Sequence, residues 1–408
     1  MYLVEQHIIS VNDKRYKDLD RICFLSKNLY NAALYTIKQE FLCTGKWIRA
    51  GELNKKMVAE NNIDYRAMSG SSSQQVLMTL DKNLKSYFSA IKSWKRDNKK
   101  FTGCPKFPRY KHKTKGRNVF SYSYAQFKHK GNFIFFPKKE GLSPLKTNCK
   151  EGSVKQVRFV PKPDCYIIEV VYEAIEKEQL PDNNRIMSID LGVNNLASIV
   201  TNTNSKPVLI DGRKLKSINQ YYNKKRSKIQ QQLKKTNGKE NSRRLMSLTR
   251  KRNNKVKDYL HKVSKEIINT CLEDNITTLI VGYNDGWKQE SNLGKRNNQN
   301  FVSIPFDMFI SMLRYKSERQ GLRFVEVNES HTSKCSSFDL ESVEHHDTYV
   351  GKRIKRGLFR TKDGILLNAD VNGSYNIMRK VKGDAVMPPY TGFGYNPVKK
   401  FINKYVYR

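Results

Sequence analysis

Residues 185–200 read RIMSIDLGVNNLASIV and place one acid, Asp190, inside an apolar run that is typical of a buried β-strand. An unpaired carboxylate in such a strand costs several kcal/mol of desolvation, so the acid is paired, neutral or bound to a cation. No Lys or Arg lies within four residues of Asp190 on either side, which leaves a cation as one explanation. The alternative is that Asp190 is a turn-forming or capping residue at the end of the strand.

The pattern after Asp190 predicts a hairpin followed by alternating helices and strands. The strand breaks at Gly192, resumes over residues 195–201 and is followed by a third strand over 207–211. The later elements are a basic helical region over 213–275 that is broken near Asn237 and Gly238, a strand over 278–282, a helix over 305–320, a strand over 322–328 and a helix over 371–380. This βββ-α-β-α-β-α order predicts a ribonuclease H-like mixed sheet of the α/β class.

The charge of the chain indicates a polyanionic partner. Among 408 residues there are 76 Lys and Arg against 38 Asp and Glu, a formal net charge of +38. Nucleic acid is the partner that best explains this excess, and a membrane surface explains it less well. The sequence has no apolar run of 18 residues and no secretion signal at its N-terminus, so we expect a cytosolic protein without a membrane partner. Seven scattered cysteines without a CxxC pair argue against disulfides and against a Cys-rich zinc site.

The first 180 residues predict a helical block inserted into strands, an α+β arrangement. A strand over residues 1–10 is followed by helices over 16 to about 42, 51 to about 63, and 74 to 95, with Ser71 to Ser73 as N-caps of the last helix. Strands then follow over 118–124, 132–136, 156–161 and 166–172. We expect these strands to form a β-barrel-like region together with the first strand. The Lys-rich faces of the helices carry Tyr and Trp and are expected to contact RNA or DNA.

Residues 101–117, FTGCPKFPRYKHKTKGR, alternate basic and aromatic side chains where prolines forbid a helix. Stacking on unpaired bases together with phosphate neutralisation requires this combination. A solvated basic loop is the alternative. The predicted nucleic-acid contacts here are Lys106, Phe107, Arg109, Tyr110 and Lys111.

The C-terminal motifs place a second acid before a helix. After HTSKCSSFD and an irregular segment to Thr361 comes LLNADVNGSYNIMRK, in which Asp370 precedes the last predicted helix. Its carboxylate either caps that helix or points toward Asp190.

With DLGVNNLA, the WKQ block, TSKCS and NADVNGSYNI in this order, preceded by LYNAAL and KFPRYK, the chain resembles the transposon-encoded TnpB (OrfB) family, the ancestors of the type V CRISPR effectors. The resemblance implies a RuvC nuclease of the prokaryotic cytosol or nucleoid, directed by a guide RNA from the transposon end against double-stranded and single-stranded target DNA. It also implies a carboxylate set that holds two Mg²⁺ ions, for which Mn²⁺ can substitute.

The resemblance further implies a division into domains. Residues 1–14 and 101–180 correspond to a wedge domain, 15–100 to a helical recognition domain, and 181–334 with 367–384 to the RuvC domain. Residues 335–366 correspond to a degenerate zinc-ribbon-like, target-nucleic-acid-binding insert, and 385–408 to a C-terminal tail.

In the family's acid set, Asp190 matches the first acid and Asp370 the third. The second acid normally ends the strand over 278–282, but here that position reads VGYN. We predict that Glu329 replaces it, because the strand over 322–328 is expected beside the strand over 278–282. Glu290 and Asp285 are rivals on a less regular segment, and the alternative for Glu329 is a cap or a salt bridge at a strand end.

The insert departs from the family's zinc ribbon, because only Cys335 remains of four expected cysteines. His345 and His346 are adjacent and poorly placed to chelate with Cys335, and His331 is the remaining candidate, so we predict no structural zinc. Residues 347–359, DTYVGKRIKRGLF, are expected to form a basic loop near the target strand. The further nucleic-acid contacts that we predict are Trp287, Lys288, Arg353, Lys355 and Arg356.

Three function classes follow from these observations. The first is an RNA-guided DNA endonuclease that cuts beside a short motif by two-metal-ion hydrolysis, with Asp190, Glu329 and Asp370 as catalytic metal ligands. The second is a nuclease-inactive, RNA-guided DNA-binding repressor. The third is a guide-independent, structure-specific nuclease.

Overall fold

The fold is that of a computed structural model that describes residues 1–138, 141–203, 205–238, 240–284, 299, 301–387 and 396–402. The chain divides into two units, Met1–Ala174 and Ile175–Arg408. None of the described helices combines the length and the apolar character that crossing a membrane would require.

The first unit consists of two antiparallel sheets and a block of helices. Its helices are α1 (Tyr16–Thr44), α2 (Ala50–Ala59), α3 (Ile63–Arg66) and α4 (Gly70–Arg96), with 3₁₀ helices at Asn98–Lys100 and Tyr124–Gln126. Its strands are β1 (Tyr2–Ile9), β2 (Phe120–Ser123), β3 (Lys128–Lys130), β4 (Phe133–Phe135), β5 (Leu145–Lys146), β6 (Val154–Pro161) and β7 (Tyr166–Glu173). The apolar faces of α1 and α4 share one core with Val157, Phe159 and Ile168 of the larger sheet.

Strand β1 pairs with β7 along its whole length. The helical block is therefore inserted, in the order of the sequence, between two strands that are neighbours in one sheet. The barrel-like region expected from the sequence is instead a sheet in the order β1-β7-β6-β2 and a separate sheet in the order β3-β4-β5. Closing a barrel requires staggered strands that continue pairing around the ring. Strands β2 to β5 contain only two to four residues each, which is too short for that.

The helices of the first unit differ from the prediction at two points. The second predicted helix is split into α2 and α3, because the Asn62 side chain caps a new helix by accepting from the Tyr65 N–H at 3.1 Å. Helix α4 begins at Gly70, so the predicted caps lie inside it. Ser72 and Ser73 are buried and donate to backbone carbonyls of neighbouring segments, which explains polar residues at these positions without capping.

The second unit is built on one six-stranded mixed sheet. Its helices are α5 (Arg213–Asn237), α6 (Arg243–Glu273), α7 (Phe306–Arg319) and α8 (Ala369–Lys382), with a 3₁₀ helix at Asp384–Val386. Its strands are β8 (Ile186–Leu191), β9 (Asn195–Thr201), β10 (Val208–Asp211), β11 (Thr278–Gly282), β12 (Arg323–Val327), β13 (Lys352–Lys355), β14 (Leu358–Arg360), β15 (Leu366–Asn368) and β16 (Val398–Lys400).

The strand order of this sheet is β12-β11-β8-β9-β10-β16. Strands β8, β9 and β10 are antiparallel to one another as predicted, whereas β11 is parallel to both β8 and β12. The two faces of the sheet carry different cores because side chains alternate along a strand. Met187, Ile189 and Leu191 of β8 pack with residues of α6 and α7, and Ile186 packs with residues of α8.

Strands β13, β14 and β15 form a small antiparallel sheet, and its first two strands fall in the segment around residues 347–359 that the sequence predicted to be a basic loop. The turn between β13 and β14 contains Gly357 at a φ of +81°, a backbone conformation that favours glycine. Phe359 and Leu367 bury their side chains under this sheet, which explains why a charged segment still forms regular strands.

Candidate functional site

The carboxyl ends of the parallel strands β8, β11 and β12 meet at one edge of the sheet. Asp190 is the penultimate residue of β8, Gly282 ends β11, and Glu329 follows β12 by two residues. The register pairs Gly282 with Val327, so Glu329 continues past the end of β11. The strand neighbours on which the Glu329 prediction depended are therefore confirmed, although the role of the residue stays a prediction.

The space beside the end of β11 is occupied by Glu329 and a core side chain. A Cβ atom on Gly282 would lie 3.2 Å from Glu329 Oε2 and 2.5 Å from Ile377 Cδ1. An acid at position 282 has no room in this arrangement. Glu329 thus brings its carboxylate to the place where a side chain at position 282 would begin.

Backbone contacts on both sides hold Glu329 in position. Its N–H donates to Asn284 Oδ1 at 3.1 Å, and its carbonyl accepts from Thr332 Oγ1 at 2.8 Å. Lys380 Nζ donates to the carbonyls of Asn328 and Ser330, the residues on either side of Glu329, at 3.0 and 2.8 Å. The carboxylate receives one long contact, from Asn284 Nδ2 to Oε1 at 3.4 Å. Its Oε2 atom is buried and has no hydrogen-bond partner among the described residues.

Burial shifts both Asp190 and Glu329 toward their neutral forms. Burial raises the pKa of Glu329 to about 7, and the positive charge of Lys380 opposes the shift. Burial also raises the pKa of Asp190 well above its ordinary value, and the negative charges of Glu329 and Asp370 add to this effect. The Arg353 guanidinium acts in the opposite direction. A buried carboxylate whose pKa is raised in this way is stabilised in its charged form by a nearby cation.

Helix α8 passes directly against Asp190 because it has a glycine at the point of contact. A Cβ atom on Gly373 would lie 2.8 Å from Asp190 Oδ2, closer than real Cβ atoms approach other heavy atoms. The hydroxyl of Ser188, two residues before Asp190 and on the same face of β8, donates to the carbonyl of Ser374 at 2.7 Å. The helix and the strand therefore fix the position of the Asp190 carboxylate from the side.

Asp370 lies in the first turn of α8, but it does not cap the helix. The cap is Asn368, whose side chain accepts from the N–H groups of Asp370 and Val371 at 3.0 and 3.2 Å. The Asp370 carboxylate accepts from Asn195 Nδ2 at 2.8 Å and from the Arg353 guanidinium at 3.5 Å. The capping alternative is therefore wrong, and the carboxylate faces the start of β9 and the β13 strand.

The three acids are electrostatically coupled without forming a compact ligand cluster. Among the described residues, no group of three or more His, Cys, Asp and Glu side chains is close enough to hold a metal ion. The donor chemistry nevertheless fits a divalent cation, because carboxylate oxygens are the ligands that Mg²⁺ prefers and Glu329 Oε2 is buried without a partner. The candidate ligands of such an ion are Asp190, Glu329 and Asp370.

A basic groove of about 780 Å³ begins beside Asp370. The Gly192 turn and the start of α5 line one part, and the β13–β14 hairpin lines another. Five cationic side chains line it: Arg213, Lys216, Arg353, Arg356 and Lys399. We call this feature the acid-site groove. It offers a polyanion a path to Asp370.

Comparisons with known proteins match both the sequence and the fold. The family model described as a probable transposase (OrfB) matches residues 169–288, and the Cas12f1-like TNB domain matches residues 306–377. A TnpB-like protein of Methanocaldococcus jannaschii is 31% identical over 195 residues, which cover 45% of this chain and 66% of that protein. A TnpB-like protein of Acidianus two-tailed virus is 26% identical over 215 residues, which cover 50% of this chain and 44% of that protein. The chain belongs to the TnpB family.

A solved structure supports the fold of this TnpB family member. The Cas12f1 protein in a cryo-EM structure of a Cas12f1–sgRNA–target DNA complex has a TM-score of 0.52 and 14% identity. The match covers 88% of this chain and 81% of that chain. At this identity the likeness supports a shared mixed α/β architecture with multi-stranded sheets.

In the first unit of the TnpB chain, helix α1 holds the basic-aromatic segment. Asn31 Nδ2 donates to the Lys111 carbonyl, and the Lys111 N–H donates to Asn31 Oδ1, both at 2.9 Å. Phe107 packs edge-to-face on Tyr87, with 5.2 Å between ring centroids, and contributes to the core of the unit. This contact gives Phe107 a packing role within the unit, and its contact with nucleic acid stays a prediction. Tyr110 is 46% exposed and remains a candidate for stacking.

The other predicted nucleic-acid residues fall into two groups. Lys106, Arg109, Arg353, Lys355 and Arg356 are exposed, and Arg353 and Arg356 also line the acid-site groove. Trp287 and Lys288 lie outside the described residues, as do the rival acids Asp285 and Glu290.

Three residues of the TnpB site escaped the sequence analysis: Asn195, Asn284 and Gly373. A glycine inside a helix costs stability relative to alanine and usually has a packing reason. The sequence therefore indicated a close contact at Gly373. Asn195 begins β9 and Asn284 follows the end of β11, contexts that many asparagines share. Their contacts with Asp370 and Glu329 depend on which strands become neighbours.

Proposed function

We propose that the chain is an RNA-guided DNA endonuclease that uses a ribonuclease H-like (RuvC) sheet to cut target DNA beside a short motif. One observation carries the proposal: two coupled acids, Asp190 and Glu329, lie at the carboxyl edge of parallel strands, with a buried carboxylate oxygen that has no partner among the described residues. Membership of the TnpB family supports the same class of activity. The order of three antiparallel strands followed by parallel β11 and β12 supports the RuvC assignment.

Asp190, Glu329 and Asp370 would hold divalent cations in this function, Mg²⁺ or Mn²⁺. Bound there, the ions would activate a water molecule and stabilise the leaving oxygen of a phosphodiester. Other residues of the chain would hold these three acids in position. Gly373 leaves room for the Asp190 carboxylate, Asn284 fixes the backbone of Glu329, and Asn195 orients Asp370.

The acid-site groove would bind the backbone of the strand to be cut. Arg213, Lys216 and Lys399 line it and would neutralise phosphates, a contact that orients a strand without reading its sequence. Arg353 contacts Asp370 and would offer a further cation to a phosphate at the acids.

The proposed partners are a guide RNA from the transposon end and the target DNA. The net charge of +38 supports polyanionic partners, and the similar Cas12f1 structure contains a guide RNA and target DNA by its own description. Residues 1–14 and 101–180 would act as the wedge and residues 15–100 as the recognition region. Residues 335–366 would contact target nucleic acid, and Lys106, Arg109, Tyr110, Lys111 and Lys355 would contribute phosphate or base contacts.

A nuclease-inactive DNA-binding repressor is the second candidate. The observation in its favour is that Asp370 contacts Arg353 and Asn195 and that no three acids form a compact metal cluster among the described residues. The two candidates share the guide RNA and the target, and they differ in whether the bound DNA is cut.

The test begins with the RNA that purifies with the protein. Sequencing this RNA supplies a matched DNA, which is then incubated with the complex in Mg²⁺ or in EDTA. The endonuclease predicts a specific RNA and cleavage in Mg²⁺ alone. Binding of matched DNA without cleavage would replace it by the repressor, and cutting of branched DNA without any RNA would favour a structure-specific nuclease.

A further inference from the structure

A second groove lies between helices α5 and α6, outside the acid site. It consists of two adjoining cavities of about 610 and 310 Å³ that share Tyr221, Leu248 and Lys251. Its floor is apolar, with Ile218 and Ile229 from α5 and Leu248 from α6, and its rim carries Lys225, Arg244, Lys251 and Lys255. We call it the helical groove.

The two neighbouring tyrosines of this groove have different surroundings. Tyr222 is anchored, because its hydroxyl lies 3.0 Å from Thr249 Oγ1 and the Arg252 guanidinium lies 5.7 Å from its ring. Arg252 in turn donates to Asn219 Oδ1 at 2.7 Å. Tyr221 is 59% exposed, Lys225 Nζ lies 5.8 Å from its ring centroid, and Lys251 lines the same cavities. An exposed ring between cations is the combination that stacks on an unpaired base.

The charge of the two helices determines which occupant fits. Residues 213–257 contain 17 Lys and Arg and one acid, Glu240. A second copy of this chain carries the same net charge of +38 and would be repelled by the rim. A polyanion with flat apolar groups matches both the rim and the floor, which describes a single-stranded nucleic acid.

The helical groove continues the acid-site groove. Ser217 lines both, so the cavity that begins at Asp370 passes Arg213 and Lys216 and leads along α5 to Tyr221. From Ser217 to Ile229 the helix extends the path by about 18 Å. A strand that binds at the acids can therefore follow cationic side chains without a break.

We propose that the helical groove binds the single-stranded DNA that enters or leaves the acid site, with a base stacked on Tyr221 and phosphates on Lys225 and Lys251. The assignment of this strand as the one being cut rests on the proposed function. The binding itself requires only the ring, the cations and the continuity of the two grooves.

The test is photocrosslinking of the full-length protein, in EDTA, to a labelled oligonucleotide of about 10 nucleotides that contains 5-iodouracil. Peptide mapping by mass spectrometry should find a crosslink at Tyr221. Tyr221→Phe should retain a crosslink at this position, because the ring remains. Tyr221→Ala should lower the yield on the α5 peptide by about fivefold or more, the loss expected for one stacked base. The matched control is Tyr124→Ala, which removes another exposed tyrosine (71% exposed) and should leave the α5 yield unchanged.

Crosslinks confined to other segments, or an unchanged α5 yield in Tyr221→Ala, would overturn the inference. So would a change in the oligomeric state of Tyr221→Ala by sedimentation, because the groove would then be an interface between copies. The readout separates this inference from the proposed function. If the parent crosslinks at Tyr221 but does not cut matched DNA, binding in the helical groove is supported and the proposed nuclease activity is contradicted. If the parent cuts matched DNA without this crosslink, the nuclease activity is supported and binding in the groove is contradicted.

Discussion

Gly373→Ala tests whether the position of the Asp190 carboxylate matters. In an ordinary helix this change adds about 0.5–1 kcal/mol of stability, because alanine loses less backbone entropy than glycine. In α8 the new Cβ would lie 2.8 Å from Asp190 Oδ2, whereas an ordinary contact begins at 3.4 Å. The carboxylate must therefore move by about 0.6 Å or more. It is the end of a side chain, so it can move at little cost in stability.

We expect Gly373→Ala to fold with a Tm close to that of the parent and to cut guided DNA about 10- to 100-fold more slowly, since misplacing a reacting group by about 1 Å can cost about 100-fold. The assay is single-turnover cleavage in Mg²⁺, with the Tm and DNA affinity measured on the same preparations. Slower cutting with unchanged affinity would separate a displaced acid from a general loss of structure.

The matched control is Gly51→Ala in α2, where an added Cβ meets no atom within 4 Å. It should cut at the parental rate with an equal or higher Tm. Should Gly373→Ala behave in the same way as Gly51→Ala, the carboxylate of Asp190 would not be acting where the structure holds it, and the assignment of this acid would be refuted.

Three further predictions concern charge, metal content and pH. Binding of RNA and DNA should weaken by orders of magnitude between about 50 and 200 mM salt, because each neutralised phosphate releases counterions; a flat titration would contradict the phosphate contacts. The purified chain should contain no stoichiometric zinc, because Cys335 is the one cysteine of its segment; one zinc per chain by elemental analysis would refute this. Burial lowers the pKa of His261 to about 4, with the charge of Lys316 acting in the same direction. In the unfolded chain the pKa of a histidine is about 6.5, so the stability that neutral His261 contributes should be fully present above that pH and be lost as the pH falls toward 4. His261→Gln should flatten this part of the profile in urea unfolding, and an unchanged slope would show that another group causes it.

The sequence predicted Asp190 within a buried strand and Glu329 at a strand end because strand periodicity is a local property. Once strands over 278–282 and 322–328 are recognised, parallel pairing brings their carboxyl ends to one edge. The same reasoning could not supply the contacts of Asp370 with Asn195 and Arg353, or the acid-site groove. These depend on how the β13–β14 hairpin and the start of α5 pack near Asp370, and no local pattern contains that information.

The errors have equally specific causes. The segment over 347–359 appeared irregular because its charges hide a short alternation, and Phe359 alone of strand β14 is fully buried. The helix caps were misplaced because serines inside α4 look like caps in sequence, although they donate to carbonyls of other segments.

The central claim is that Glu329 completes the acid set of a working nuclease, and one measurement tests it most directly. The complex of the protein with its copurified RNA is given matched DNA in Mg²⁺, and cleavage and binding are compared for the parent and Glu329→Gln. The substitution retains size and removes the charge. We predict that the parent cuts and that Glu329→Gln binds equally well but cuts at least about 100-fold more slowly, as expected for loss of an electrostatic contact to the reacting groups. Equal cutting by the two proteins would contradict the role of Glu329, and a parent that binds matched DNA without cutting would contradict the nuclease itself.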